Sequence, residues 1–471
     1  MKKIIFILAV SFLLTGCREN YLAEKAYYQA VKKFATIKNE NLKTNPEILK
    51  PAVAAFEHVV EKYPTTPKAR EALFQISVLK VSYKDYDGAR EALLKVIQNF
   101  SQVGETGSDA SFQIGQLYEI EKRWDLAEKR YWLTAETNSL QTKGLYAPLY
   151  ILVHYKQAKD TVKQNVAFQM AVEHYKGLIA SIGPIELSSI AKNYLALTYL
   201  TQGDTEKARE EWLSISDQFP NNAYAPLALL TVAELSQKNK NVEQAINDYE
   251  RFMNKYPKHT FAGRTAIRLG LLLESEKQYE KSREWLNRAL NDYFKNNPAG
   301  IADLQLLIGR SYQNEGKWGQ AEKIYNDLEA QYPMTPAALQ IPFMQFLHLK
   351  DSGETEKANQ VLDQAITKYK EIIEQKPNSK IATYARQFML SAYTQKKDWD
   401  QLLARVDQEL QNEPTEERKG RWLFLKALIA ENRLKDKEQA ASIYKDFLTQ
   451  YPDHPLSQLA KSHQELVSKA G

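Results

Sequence analysis

The chain has 471 residues, with 63 Lys and Arg against 58 Asp and Glu, and 26% of its residues are charged. Without Lys2 and Lys3 the balance is 61 basic to 58 acidic side chains, a net +3, too small over this length for the footprint of a nucleic-acid-binding protein. The single cysteine, Cys17, excludes an intramolecular disulfide, and no window approaches the roughly eighteen consecutive apolar residues of a transmembrane helix, so stability must come from packing.

The first element reads as a leader. Met1-Lys2-Lys3 is a short basic start, and Ile4 to Leu13 is an almost unbroken apolar run of signal-peptide length. It ends in Leu14-Thr15-Gly16-Cys17, a branched residue, two small residues and the cysteine. That tetrapeptide resembles the lipobox of bacterial lipoproteins. The resemblance implies cleavage before Cys17, diacylation of its thiol and acylation of the new amino terminus. Residues 1–16 are then a removed signal peptide and 17–20 a lipidated tether. The alternative, a small buried cysteine, leaves the charged-then-apolar leader unexplained. Aspartate after the cysteine favours inner-membrane retention in such proteins. Arg18 stands there, so the resemblance implies a lipid anchor in the outer membrane with the remainder facing the periplasm.

From about Tyr21 onward one pattern recurs. A small residue is followed four positions later by a large one: Ala52/Phe56, Ala89/Leu93, Ala127/Tyr131, Ala171/Tyr175, Ala208/Trp212, Ala245/Tyr249, Ser282/Leu286, Ala321/Tyr325, Ala358/Leu362 and Ala440/Tyr444. Anchor spacings up to Ala358 are 37, 38, 44, 37, 37, 37, 39 and 37, and the remaining 82 divides as 44 and 38 if Leu402 stands in for a small residue. The register predicts eleven units. Within a unit, Ile301, Leu304, Ile308 and Tyr312 have helical spacing with Gly309 as a small site. Asn314 to Lys317 reads as a turn, and Trp318, Ala321, Tyr325 and Leu328 mark a second helix stopped at Tyr332-Pro333. Trp124, Trp318 and Trp399, with Tyr86 and Tyr279, each precede an anchor by three residues, which predicts a structural plug at the inter-helix turn. The first unit is expected to carry a polar loop near Lys38 to Pro46 and the fourth an extended turn around Lys159 to Asn165. His454 to Ala470 reads as a capping helix, placing a repeat region over 21–453 and a cap and tail over 454–471.

This pattern is similar to the tetratricopeptide repeat, with its small-residue sites, turn aromatic and terminal proline. The period here exceeds the family's roughly 34 residues, and the added residues lie in linkers such as Tyr63-Pro64-Thr65-Thr66-Pro67. That longer linker resembles the repeats of bacterial envelope lipoproteins, notably those of the β-barrel assembly machinery and of the Tol–Pal coordinator. The resemblance implies an all-α, right-handed superhelical solenoid whose first helices line a concave, protein-binding groove. Its candidate lining includes Phe112, Gln116 and Asn193, then Arg264, Arg310, Gln313 and Trp422. For Trp422 the packing and partner-contact readings stay open. At the asparagine position of the family's carboxylate clamp the chain has Val78, Gln116, Leu197, Glu234, Leu271 and Arg310, so capture of a chaperone tail is disfavoured.

No HExxH, phosphate loop, GxGxxG or GxSxG pattern is present, and the seven histidines form no local ligand pair. The expectation is a non-catalytic scaffold without metal or cofactor. It docks other envelope proteins for outer-membrane assembly and meets the membrane through its lipid, with no nucleic acid or small-molecule cofactor. The rival readings are a lipoprotein of an exopolysaccharide-export apparatus and a surface glycan- or nutrient-capture lipoprotein.

Overall fold

The computed structural model describes residues 2–35, 45–413 and 415–469, with side chains between Arg18 and Ser468. Every regular element among them is helical, and the chain divides into two compact units, Met1–Phe252 and Met253–Gly471. In the first unit the hairpins are α1 (Lys2–Ala35) with α2 (Pro46–Lys62), α3 (Pro67–Ser82) with α4 (Tyr86–Phe100), α5 (Thr106–Ile120) with α6 (Trp124–Thr137) and α7 (Thr142–Gln157) with α8 (Thr161–Ile182). They continue as α9 (Glu186–Gln202) with α10 (Thr205–Gln218) and α11 (Tyr224–Lys238) with α12 (Val242–Lys255), whose end runs into the second unit. The second unit holds α13 (Ala262–Ser275) with α14 (Tyr279–Arg288), α15 (Pro298–Asn314) with α16 (Trp318–Gln331) and α17 (Pro336–Asp351) with α18 (Thr355–Gln375). Then follow α19 (Lys380–Lys396) with α20 (Trp399–Asn412), α21 (Glu416–Ile429) with α22 (Lys437–Gln450), and a last helix, α23 (Ser457–Lys469). Among the described residues no helix is long and apolar enough to cross a membrane.

The anchors explain the packing. Every small-residue anchor, with its large partner, lies on a second helix and is almost wholly buried, including Leu402 and Val406 on α20. In three hairpins the large side chain inserts where the preceding helix carries a glycine. A Cβ added to Gly115 would lie 2.4 Å from the Tyr131 ring, and one added to Gly309 would lie 2.4 Å from that of Tyr325. Gly270 holds the same place beneath Leu286. Close helix approach requires this pairing of hole and knob, because interiors are packed without slack.

Turns inside the hairpins from the second onward share one backbone device. The first helix ends, one residue takes a left-handed conformation, and the second helix begins two residues later. Lys84, Lys122, Lys159, Lys240, Lys277, Lys397 and Lys435 have φ between 58° and 67°, and Gly203, Gly316 and Gly353 hold the corresponding place at φ 81–103°. The hydrogen bonds are those of a Schellman cap: Lys122 N–H donates to Glu119 O (2.8 Å) and Arg123 N–H to Tyr118 O (2.8 Å). Several second helices then open on an aspartate such as Asp85, Asp160 or Asp398, whose carboxylate accepts from the third backbone N–H of the helix. A left-handed lysine costs about 1–2 kcal/mol that glycine does not. Part of that gain is cancelled by the greater freedom of glycine in the unfolded chain. Lys122→Gly and Lys240→Gly are therefore each expected to stabilise their hairpin by roughly 0.5 kcal/mol, read as a raised denaturant midpoint. A lowered midpoint in both would contradict the strain.

Two of the linkers between hairpins share a second arrangement. After α2, Tyr63 closes the helix, and the Thr66 hydroxyl donates to Tyr63 O (2.9 Å) while accepting from Ala69 N–H (3.3 Å). Pro67 then fills the first turn of α3, where an N–H would be unpaired anyway. Tyr332, Thr335 and Pro336 repeat the arrangement before α17.

Two expectations need correction. The fourth unit has no extended turn near Lys159 to Asn165. Lys159 makes the same tight turn as its counterparts, and the seven added residues lengthen α8, which has 22 residues against 14 in α6 and α10. The second 44-residue spacing has the same origin, since α18 has 21 residues. Two added turns keep the same helical face inward, so lengthening the helix preserves its buried stripe. In both long helices a buried tyrosine hydroxyl reaches back across the hairpin: Tyr175 to Leu145 O and Tyr369 to Leu339 O, each at 2.6 Å. The capping helix starts at Ser457, because His454 is occupied in the linker, its ring accepting from Leu456 N–H. Most of the polar loop expected near Lys38 to Pro46 lies outside the described residues, as does the Cys17 thiol; the Cys17 backbone is part of α1.

Candidate binding surfaces on the first helices

The residues expected to face a partner fall into three groups. Gln116 on α5, Arg264 on α13 and Arg310 on α15 are exposed. Phe112 is not, contrary to expectation. It is 3% exposed and packs against Tyr131, Tyr146 and Tyr150 with ring centroids 4.7–5.8 Å apart, so its area is spent on the core of the first unit. The Tyr150 hydroxyl beside it donates to Glu119 (2.9 Å), and burial, with that carboxylate, pushes its pKa up to about 12.

Asn193 and Gln313 form the second group. The Trp212 indole N–H donates to Asn193 Oδ1 (2.9 Å), and the Tyr325 hydroxyl donates to Gln313 Oε1 (2.9 Å). Both side chains therefore satisfy the polar end of a buried knob, the requirement that accompanies burying Trp or Tyr. Gln237 does the same for Tyr249 (3.0 Å). In the last hairpin Glu431 takes this duty for Tyr444 (2.6 Å), thirteen rather than twelve residues away, because the π-helical turn Ala430–Leu434 inserts one residue. Changing Gln313 thus perturbs packing as well as surface.

Trp422 is the third group, and it sits at a cleft. In the second unit α15 packs on α17 and α17 on α19, whereas α19 and α21, like α13 and α15, approach less closely. Two hollows open between them, joined at Leu425. One, of about 430 Å³, holds Trp422 with Arg386, Arg421, Glu409 and Glu413 around it. Its charges are mostly paired: Arg386 with Glu409 at 3.3 Å, and Glu409 again with Arg405. The other, of about 610 Å³, has Trp399 on one wall, Leu402, Leu425 and Leu428 as apolar lining, and Ser391, Thr394 and Asn432 among its polar groups.

Trp399 was expected to plug its turn as Trp124 and Trp318 do. Those two carry a ring on one face: His154 stacks on Trp124 at 3.3 Å between centroids and 3° between planes, and His348 on Trp318 at 3.8 Å and 8°. Burial lowers the pKa of His154, keeping the stacked imidazole neutral. Each histidine lies thirty residues after its tryptophan; thirty after Trp399 is Ile429. Among the described residues Trp399 has no ring partner; only the Arg433 guanidinium stands over it, at 5.9 Å. This break in a repeated pairing is readable in the sequence once the pairing is known.

In comparisons with known proteins, residues 186–341 match the family model described as a tetratricopeptide repeat-like domain, and residues 423–454 match that of the tetratricopeptide repeat. No curated protein matches the chain. Solved structures similar to it include a tetratricopeptide repeat protein from Parabacteroides merdae (15% identity, 62% of this chain and 98% of that one, TM-score 0.32). Yeast Tom70 aligns at 10% identity over 96% of each chain with a TM-score of 0.35. The Naa15/Naa10 assembly bound to HypK-THB aligns at 13% identity over 94% of this chain and 67% of that one, TM-score 0.37. Stretches 186–341 and 423–454 are thus similar to tetratricopeptide repeats, and the other described residues also form helical hairpins.

Proposed function

We propose that this chain is a lipid-anchored scaffold that binds other proteins of a bacterial cell envelope, on the periplasmic side of the outer membrane, in the assembly of envelope or outer-membrane proteins. The observation that carries the binding part is the arrangement of the first helices. They present exposed polar side chains such as Gln116, Arg264 and Arg310, and between α19 and α21 an open cleft with two tryptophans. Helical-repeat arrays use such extended faces to hold peptides or partner helices. The anchoring part rests on Leu14-Thr15-Gly16-Cys17 and the leader before it. Acyl chains supply about 0.8 kcal/mol per buried CH₂, so more than one chain on Cys17 holds the protein at a membrane for its working life.

Two measurements test the reading. Cys17→Ala is expected to abolish incorporation of a labelled fatty acid and to release the protein from the membrane fraction; label that persists would remove the anchor. Affinity purification of the full chain from detergent-solubilised envelopes is expected to bring down barrel-assembly components. A polysaccharide synthase and secretin, or a nutrient transporter, would replace the assembly role with export or capture. Changing Arg264 and Arg310 together to alanine should weaken that capture and leave helicity unchanged.

A further inference from the structure

We infer that the hollow over Trp399 is a subsite for an aromatic side chain flanked by a carboxylate on a segment of a partner protein. The inference deepens the scaffold reading and rests on it. Its first support is internal to the molecule. At the same place in two other hairpins a planar ring lies flat on the tryptophan, His154 on Trp124 and His348 on Trp318. In the tenth hairpin no ring takes that place: Ile429, 5% exposed, stands at the corresponding position, the Arg433 guanidinium lies 5.9 Å from the indole centroid, and a hollow of about 610 Å³ opens beside the indole. An indole face bounded by Leu402, Leu425 and Leu428 is a surface that a ring covers well, since stacked aromatic pairs add directional attraction to apolar burial. Ser391, Thr394 and Asn432 provide hydrogen-bonding groups for the backbone that carries the ring.

The second support is charge. Arg433 is the one charged side chain among those lining this hollow, and it is exposed, with no ion-pair partner among the described residues. The neighbouring hollow around Trp422 differs, because its carboxylates are already paired, Glu409 with Arg386 and Arg405 and Glu413 with Arg418. A carboxylate next to the incoming ring would meet the Arg433 guanidinium at the rim, while a basic flank would be repelled. The occupant that fits both is an acidic-aromatic peptide segment.

The test uses the full chain labelled with 5-fluorotryptophan and followed by fluorine NMR, with three capped peptides as probes: Asp-Phe-Glu, Asp-Leu-Glu and Lys-Phe-Lys. The Trp399 signal, assigned with Trp399→Phe, is expected to shift and saturate with Asp-Phe-Glu. The leucine and lysine peptides should bind about tenfold more weakly or not at all. Ile429→His is expected to place an imidazole on Trp399, as in the other two hairpins, and to remove binding. Arg433→Gln, at an exposed position that leaves the fold alone, should weaken Asp-Phe-Glu about fivefold and reduce its salt dependence. Equal binding of the leucine peptide, no shift of Trp399, or unchanged affinity in Arg433→Gln overturns the subsite. A shift that depends on protein concentration without peptide assigns the face to a second copy and also overturns it. If envelope proteins co-purify equally with wild type and Ile429→His while the peptide fails to bind, the subsite falls and the scaffold stands. If none co-purify with wild type, the scaffold reading itself fails.

Discussion

Gly309→Leu is expected to lower the stability of the α15–α16 hairpin by about 3 kcal/mol, the upper part of the range for overpacking. The reason is geometric. A Cβ at this position would sit 2.4 Å from Tyr325 Cε1, and the tyrosine is wholly buried, with its hydroxyl tied to Gln313. A ring so enclosed and bonded gives way only at the cost of its packing, so the leucine is expected to push the two helices apart. Repeats of this kind draw their stability from nearest-neighbour contacts, so damage to one hairpin is felt locally before it is felt globally. Hydrogen exchange should therefore show α15 and α16 opening before distant helices, and the denaturation midpoint should fall. Tyr325→Ala alone also destabilises, by about 3–5 kcal/mol, through its cavity. Combined with Gly309→Leu it should cost less than the sum, because the leucine grows into the vacated space, and a coupling of about 1–3 kcal/mol is expected. An unchanged midpoint for Gly309→Leu would mean that the hole-and-knob pairing is not what holds these helices together.

Arg209→Ala is expected to be as damaging, for an electrostatic reason. The Arg209 guanidinium forks onto the Asp248 carboxylate, with Nη2 2.7 Å from Oδ1 and Nη1 on Oδ2, and the Ser236 hydroxyl donates to the same Oδ2 at 2.8 Å. Asp248 is 4% exposed and Ser236 also 4%. These residues come from α10, α11 and α12, so a single buried network joins the fifth hairpin of the first unit to the sixth. Removing the cation leaves a carboxylate out of water with one hydroxyl for company, a loss of about 3–5 kcal/mol. Replacing the pair together, as in Arg209→Met with Asp248→Leu, should restore most of the stability, since no charge is then stranded. Urea unfolding of the wild type and the two variants decides the matter: equal midpoints for the single and double variants would show that lost packing, rather than a stranded charge, sets the cost. Two cationic contacts elsewhere serve a similar joining role. Arg90 lies over the Tyr118 ring at 4.6 Å and Arg283 over that of Tyr312 at 4.0 Å, the latter with an ion pair to Glu315 at 2.6 Å.

How far the sequence reaches can be judged from particular residues. The small-and-large anchors were legible because packing two helices at close range imposes a chemical choice at a fixed spacing. Each anchor pair, from Ala52/Phe56 to Ala440/Tyr444, lies on the second helix of a hairpin and is buried. Tyr-Pro stops were legible because proline removes an N–H and restricts its predecessor. Left-handed lysines were not, since no preference of the lysine side chain announces that conformation; only the recurring turn demands it. The two 44-residue spacings were visible, but the site of the first insertion was misplaced. A turn and a helix both absorb seven residues without changing the register on either side, and it is the tight turn at Lys159 that puts them in α8.

The surface residues mark the boundary more sharply. Phe112, Asn193 and Gln313 stand at positions that line the groove in a general repeat, yet Phe112 is drawn into an aromatic cluster and the two amides are recruited by buried Trp212 and Tyr325. Periodicity places a residue on a face of its helix; which neighbour claims its polar atoms depends on side chains twelve to nineteen residues away and on the spacing of whole helices. By itself the sequence determined the helical hairpins, their number and their buried stripe, because all of these follow from local covalent and steric rules. Only the tertiary structure decided that a cleft opens between α19 and α21, and that Trp399 borders a hollow without the ring partner that Trp124 and Trp318 have. That outcome depends on how three helices fill a shared volume, a property no single segment carries.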